Sequence, residues 1–319
     1  MHASLPDWVL DVGFSVLSQI LIMATIPLIV MFLFKRRAGD NRRTLLPSFG
    51  FSKPSIKVLG WAVALGFLIF FFNIFVSGFF NGILATTGFR FPHGGGGAFA
   101  EMGVAGLFIT LILVAVLPGI CEEISHRGML MNGMAPKFGV AKAVLFSSII
   151  FGLMHLNIVQ MFYAAILGYI IAWAVLATRS LWTGIIMHFI NNGFGVYLSF
   201  AGSNNWLGGN LFEWLGGFNP IIFMAMLVVV YLLIVTIVHS LAKDNFERTF
   251  ANHERMPEWK EQSKRRGKWG QIKLYVDPTN FGCISPSPPI ISPVERTVFG
   301  GIIFLGTVVT LMTLIWGLL

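Results

Sequence analysis

The stretch Cys121-Glu122-Glu123-Ile124-Ser125-His126-Arg127-Gly128 follows residues 104–120, a run that contains no charge. An uninterrupted apolar run of this kind reads as a helix crossing a bilayer. The two carboxylates, the imidazole and the guanidinium therefore lie at membrane depth. There an ionisable group costs about 2.5–3.5 kcal/mol or more, so a functional site is the default reading. On a helix, Glu123 and Arg127 are four apart and share a face, which leaves Glu122 without that cation and next to His126. A paired carboxylate serves as an anchor, whereas an unpaired one in a low-dielectric site is a candidate general base. The structural alternative is a buried ion cluster of Glu122, Glu123 and Arg127 that fixes helix packing.

The rest of the chain agrees with a membrane setting. Of 319 residues, 55% are hydrophobic and 11% charged, and the mean hydropathy is +0.77. These values exclude a soluble enzyme and predict an all-α, polytopic membrane protein. A net charge of +8 raises nucleic acid as a partner, but the basic residues fall in loops on one side of the predicted topology. An orientation determinant that also touches anionic lipid accounts for them, so no nucleic acid is expected.

About eight spans are predicted, at about residues 9–34, 58–84, 104–135, 138–156, 158–178, 181–200, 220–242 and 298–316. The first is too long and wrongly flanked for a cleaved signal peptide. Lys35, Arg36, Arg37, Arg42, Arg43, Lys53 and Lys57 follow it. The positive-inside rule makes that loop cytoplasmic and puts the N-terminus outside, in the plasma membrane. The third span should kink at Pro118-Gly119. The run Gly94 to Gly97 after Phe91-Pro92-His93 reads as a flexible connector, since it follows no strand and lacks a phosphate-binding pattern. Of the 22 Lys and Arg, only Arg90 falls outside and only Arg127 within the membrane. Cys121 and Cys283 are not placed to meet, and no disulfide framework follows.

The expected organisation is two N-terminal spans with an outer glycine-rich loop over 1–103, then a catalytic core over 104–200. An outer loop and span over 201–242, a basic cytoplasmic segment over 243–297 and a final span over 298–319 complete it.

Glu122 and Glu123 are the acids available within the apolar segments apart from Asp11 at the mouth of the first. At 1.5 Å per residue, Glu122 lies about 22 Å and His155 about 27 Å from Lys137, and His188 about 13 Å and Asn192 about 20 Å from Arg179. Three spans thus carry polar groups at similar depth. A lone intramembrane histidine bonded to a carbonyl is unremarkable, and His239 keeps that structural reading. The set as a whole points to hydrolysis: a carboxylate and an imidazole deprotonate water, while a second His and an amide stabilise the oxyanion. A serine mechanism is less suited: Ser125 and Ser148 are near, but no Gly-x-Ser-x-Gly pattern exists. The His-Glu-x-x-His signature is also missing, though Glu122, His155 and His188 form a possible set for a divalent metal such as zinc, so both a metal and no cofactor stay open.

Glu122-Glu123-x-x-x-Arg127, Phe151-x-x-x-His155 and His188-x-x-x-Asn192 occur in that order. With them, about residues 104–200 resemble the CPBP family of intramembrane proteases, which includes CAAX prenyl endopeptidases and bacteriocin-immunity relatives. The resemblance implies a multi-helix endopeptidase in which Glu122 and His155 activate water, His188 and Asn192 bind the oxyanion, and Glu123 and Arg127 support the site. The family is often labelled metalloprotease, although water can be activated there without a metal. His126 departs from the aromatic residue more usual before the arginine.

The expected function is cleavage of a membrane-anchored or lipidated (CAAX-type) protein in the bilayer. The alternatives are a non-proteolytic immunity or scaffold protein, and a transporter with a proton relay through Glu122 and the histidines. The complete motifs disfavour the first, and the lack of a repeated half disfavours the second.

Overall fold

The structure, a computed structural model, describes residues 7–37, 50–90, 99, 102–276 and 293–318. The glycine run 94–97, Arg42, Arg43, Cys283 and most of the Ser/Pro stretch lie outside the described residues. Among those described every regular element is helical, as expected where the backbone must satisfy its own hydrogen bonds in lipid.

Helix α1 covers residues 7–37 and is π-helical over Ser18–Thr25. Helix α2 is Ile56–Thr86. Helix α3 covers residues 103–138 and is π-helical at Ile112–Val116 and again at Ile124–Met131. Then come α4 (Val140–Leu153), α5 (Ile158–Thr178) and α6 (Leu181–Asn204). A short α7 (Leu211–Gly216) precedes α8 (Pro220–Thr249). Two further short helices, α9 (Met256–Lys264) and α10 (Lys268–Val276), lead to α11 (Pro293–Leu318).

Among the described residues, six helical segments are long and apolar enough to cross a membrane: those in α1, α2, α3, α5, α8 and α11. The two other expected spans are present as helices of different character. Helix α6 is long enough but carries His188, Asn191 and Asn192. Helix α4, at 14 residues, rises only about 21 Å, short of the roughly 30 Å hydrocarbon core. Its end brings the turn holding His155 into the interior.

The starts of α5 and α8 are set by side-chain caps. The side chain of Asn157 accepts from Val159 N at 2.8 Å and that of Asn219 from Ile221 N at 2.8 Å, with Pro220 opening α8. These replace backbone partners that the first turn lacks. More than half of the α5 span is buried, against about a tenth of α11, so α5 is the central post. Its Ile171, Ala172 and Trp173 join Leu65 and Ile69 of α2, Leu181 and Met187 of α6 and Ile234 and Val238 of α8 in one core.

The basic segment after α8 is packed rather than loose. Helix α8 runs past Ala242 to Thr249, and α9 buries Trp259 against Phe246 and Phe250. Helix α10 buries Ile272 and Tyr275, and Gln271 Oε1 meets His239 Nε2 at 2.5 Å. His239 is thus a packing residue, while Lys264 and Glu261 remain exposed.

Candidate active site

Two features of α3 shape the site. Pro118 has no N–H for the Val114 carbonyl four residues earlier. That oxygen instead accepts from Asn192 Nδ2 on α6 at 3.0 Å. The helix runs on through the predicted kink and absorbs the disruption in the π-helical stretches on either side of Leu117–Glu123. Such stretches widen the turn and re-aim the side chains that follow.

Glu123 is fully buried and its Oε1 accepts from Arg127 NH1 at 2.7 Å. Arg127 NH2 donates to the Gly168 carbonyl at 3.0 Å, and the guanidinium carbon lies 4.5 Å from the centre of the Phe151 ring. The guanidinium is thus satisfied within the protein, whereas Glu123 Oε2 is buried without a hydrogen-bond partner, so the pair is held through Oε1. Two close approaches make room for it. A Cβ on Gly168 would lie 3.0 Å from Arg127 NH2, and one on Gly184 would lie 2.7 Å from Glu123 Oε2.

Glu123 Oε1 also meets His188 Nδ1 at 3.0 Å. An ionised carboxylate only accepts, so Nδ1 carries the proton and Nε2 is the free nitrogen of the neutral ring. That Nε2 lies 4.0 Å from Glu122 Oε2. His155 is held alike: Nδ1 lies 2.8 Å from the Phe151 carbonyl, which can only accept, so its Nε2 is also free in the neutral ring. The next residue, Leu156, has φ 51°, a left-handed conformation that is strained for a bulky side chain.

Glu122 Oε1 accepts from Gln19 Nε2 of α1 at 2.8 Å. Glu122, His155, His188 and Asn192 all line one cavity of about 560 Å³, together with Ser15, Asn73, Gln160, Tyr163, Asn191 and Ser199. An amide chain crosses its wall. Asn73 Nδ2 points to Asn191 Oδ1 at 3.5 Å, and Asn191 Nδ2 donates to Asn192 Oδ1 at 2.9 Å. This fixes which end of the Asn192 amide is the donor. One of its two N–H bonds goes to Val114, leaving the other.

Gln19, Asn73 and Asn191 were not anticipated from the sequence. Each is an amide inside an apolar span, and that oddity was the available signal. His126 is buried with Nδ1 3.0 Å from the Glu122 backbone carbonyl and its ring edge-on to Phe151. It therefore supports the helix and does not touch the Glu122 carboxylate. Ser148 Oγ donates to the Val144 carbonyl at 2.6 Å. Among the described residues no three His, Cys, Asp or Glu side chains are grouped so as to hold a metal ion. Glu122, His155 and His188 share the cavity without forming such a set.

Residues 104–194 match the family described as "Type II CAAX prenyl endopeptidase Rce1-like". All seven motif residues fall within that segment. The chain is also similar to "Putative membrane peptidase YdiL" of Bacillus subtilis (strain 168), at 26% identity over 99 residues. The match covers 31% of this chain and 41% of that protein, so the chain spans less than half the length of the curated relative it matches. No solved structure matches the chain at a significant level.

Proposed function

We propose that this chain is an intramembrane endopeptidase that hydrolyses a peptide bond of a membrane-associated protein. The observation that carries the reading is the 4.0 Å gap between Glu122 Oε2 and His188 Nε2 in the shared cavity, a separation that one water bridges. Glu122 takes a proton from that water as its oxygen bonds to the scissile carbonyl carbon. The carbonyl oxygen becomes an oxyanion, and the uncommitted N–H of Asn192 donates to it. As the C–N bond breaks, Glu122 returns the proton to the departing amine. Glu122 is the base, and Gln19 orients it by holding Oε1.

The His188 ring accepts from the water through Nε2. With its Nδ1–H held by Glu123, the ring steers that water towards the carbonyl carbon. His155 offers a further free Nε2 in the same cavity. The similarity to CAAX-type endopeptidases supports peptide hydrolysis, and the apolar helices support a substrate that arrives within the membrane.

The test compares membrane proteins from cells carrying the wild-type chain and Glu122→Gln by mass spectrometry of protein termini. New termini present with the wild type and lost with Glu122→Gln are expected. Identical termini in both overturn the reading.

A further inference from the structure

We propose that the cavity opens on the face of the membrane away from the cytoplasm, so that the substrate class is membrane-anchored or exported peptide presented from outside. Cytoplasmic lipidated tails are then not the substrates. This deepens the proteolytic reading above and rests on it.

The two ends of the bundle are defined by contacts rather than by counting. At one end Lys57 pairs with Asp244 at 2.6 Å, Asn245 Nδ2 reaches the Ala177 carbonyl at 3.1 Å, and Leu181 N reaches the Gly50 carbonyl at 2.7 Å. Phe299, near the start of α11, faces Phe138 at the end of α3. At the opposite end Arg90 N donates to the Gly317 carbonyl at 2.7 Å, and Ile158 N to Thr313 Oγ1 at 3.0 Å.

The charge is divided between these ends. Lys53, Lys57, Lys142, Arg179, Lys243, Arg248 and the bases of α9 and α10 belong to the first end. Among the described residues, Arg90 is the basic residue at the second. Such a bias places the first end in the cytoplasm.

The cavity leads to the other end. Its floor is Glu122 and His188, at mid-depth. Its walls include Gln160, two residues into α5, and Ser199, five residues before the end of α6. Both are within about 8 Å of their helix ends, and Ser199 is exposed. On α1, Ser15 lines the cavity and Gln19 reaches Glu122, so that helix also enters from the Arg90 end. Towards the basic end the floor is backed by packed Ile124, Ile171, Leu181 and Ile185. A prenylated C-terminal tail is made on the cytoplasmic side and would meet this core rather than the mouth.

The experiment has two arms in intact cells. In the first, Ser199→Cys and Ser203→Cys are compared with Glu261→Cys for labelling by a membrane-impermeant maleimide, with the unmodified chain as background. The first two should label to within about twofold of permeabilised cells, and Glu261→Cys at least ~10-fold less than after permeabilisation. Labelling of Ser199→Cys only after permeabilisation overturns the proposal while leaving proteolysis intact. In the second arm, Glu122-dependent termini are mapped onto the topology of the cleaved proteins. Termini on the outer side support the proposal, and termini confined to the cytoplasmic side overturn it. Outward labelling with no Glu122-dependent termini at all removes the proteolytic reading, and the substrate class with it.

Discussion

Glu123 and His188 are 65 positions apart in the chain, yet Glu123 Oε1 lies 3.0 Å from His188 Nδ1 while also receiving Arg127 NH1 at 2.7 Å. One oxygen thus ties the ion pair of α3 to the histidine of α6. It fixes the ring so that Nε2 faces Glu122. The two adjacent acids are therefore not equivalent.

Glu123→Gln leaves Arg127 buried without its countercharge, which costs about 3–5 kcal/mol. Glu122→Gln removes the proposed base but no ion pair, and Gln19 can still bond the new amide. Thermal unfolding in detergent should show a large loss for Glu123→Gln and a change within about 0.5 kcal/mol for Glu122→Gln, while both lose cleavage. Equal destabilisation of the two would sink the assignment.

Gln19→Leu deletes the donor to Glu122 Oε1. Hydrogen bonds to charged groups contribute about 1.5–3 kcal/mol, so turnover should fall roughly 10- to 100-fold. KM should change little, because Gln19 orients the base and does not line the cavity. A rise in KM at constant kcat would instead make Gln19 part of substrate entry.

Gly184→Ala pushes a methyl group to 2.7 Å from Glu123 Oε2 and 2.8 Å from Val175. Overpacking of this kind costs about 1–3 kcal/mol, and the displaced carboxylate should also release His188. Stability and turnover are expected to fall together. Gly133→Ala, with open space around its Cβ position, is the control and should change neither.

Asn192→Ala removes both the proposed oxyanion donor and the partner of the Val114 carbonyl. The loss of one such donor lowers kcat by about 10²–10³-fold. Asn191→Ala leaves Asn192 in place but frees its amide to rotate, so a smaller loss of kcat is expected. Steady-state rates on a substrate identified from cellular termini decide between them: if Asn191→Ala proves as damaging as Asn192→Ala, the amide chain is not merely orienting.

The all-α membrane architecture was legible in the sequence, because apolar run length is a local property and lipid leaves the backbone few other choices. So was the Glu123–Arg127 pairing, since helix geometry makes residues four apart neighbours whatever surrounds them. The depth estimates for Glu122, His155, His188 and Asn192 came from the same helical rise. The contacts between distant positions were not legible. Gln19 meets Glu122 across 103 positions and Asn73 faces Asn191 across 118. These depend on how each helix is rotated about its axis, and the π-helical stretches of α1 and α3 alter that rotation in a way that no regular 3.6-residue count anticipates. The packing of α9 and α10 beneath the core was likewise hidden, because Trp259 and Tyr275 lie in a segment whose charge dominates its local pattern. Which carboxylate oxygen faces which imidazole nitrogen emerged with helix packing, since hydrogen-bond direction is set by partners brought together from separate helices.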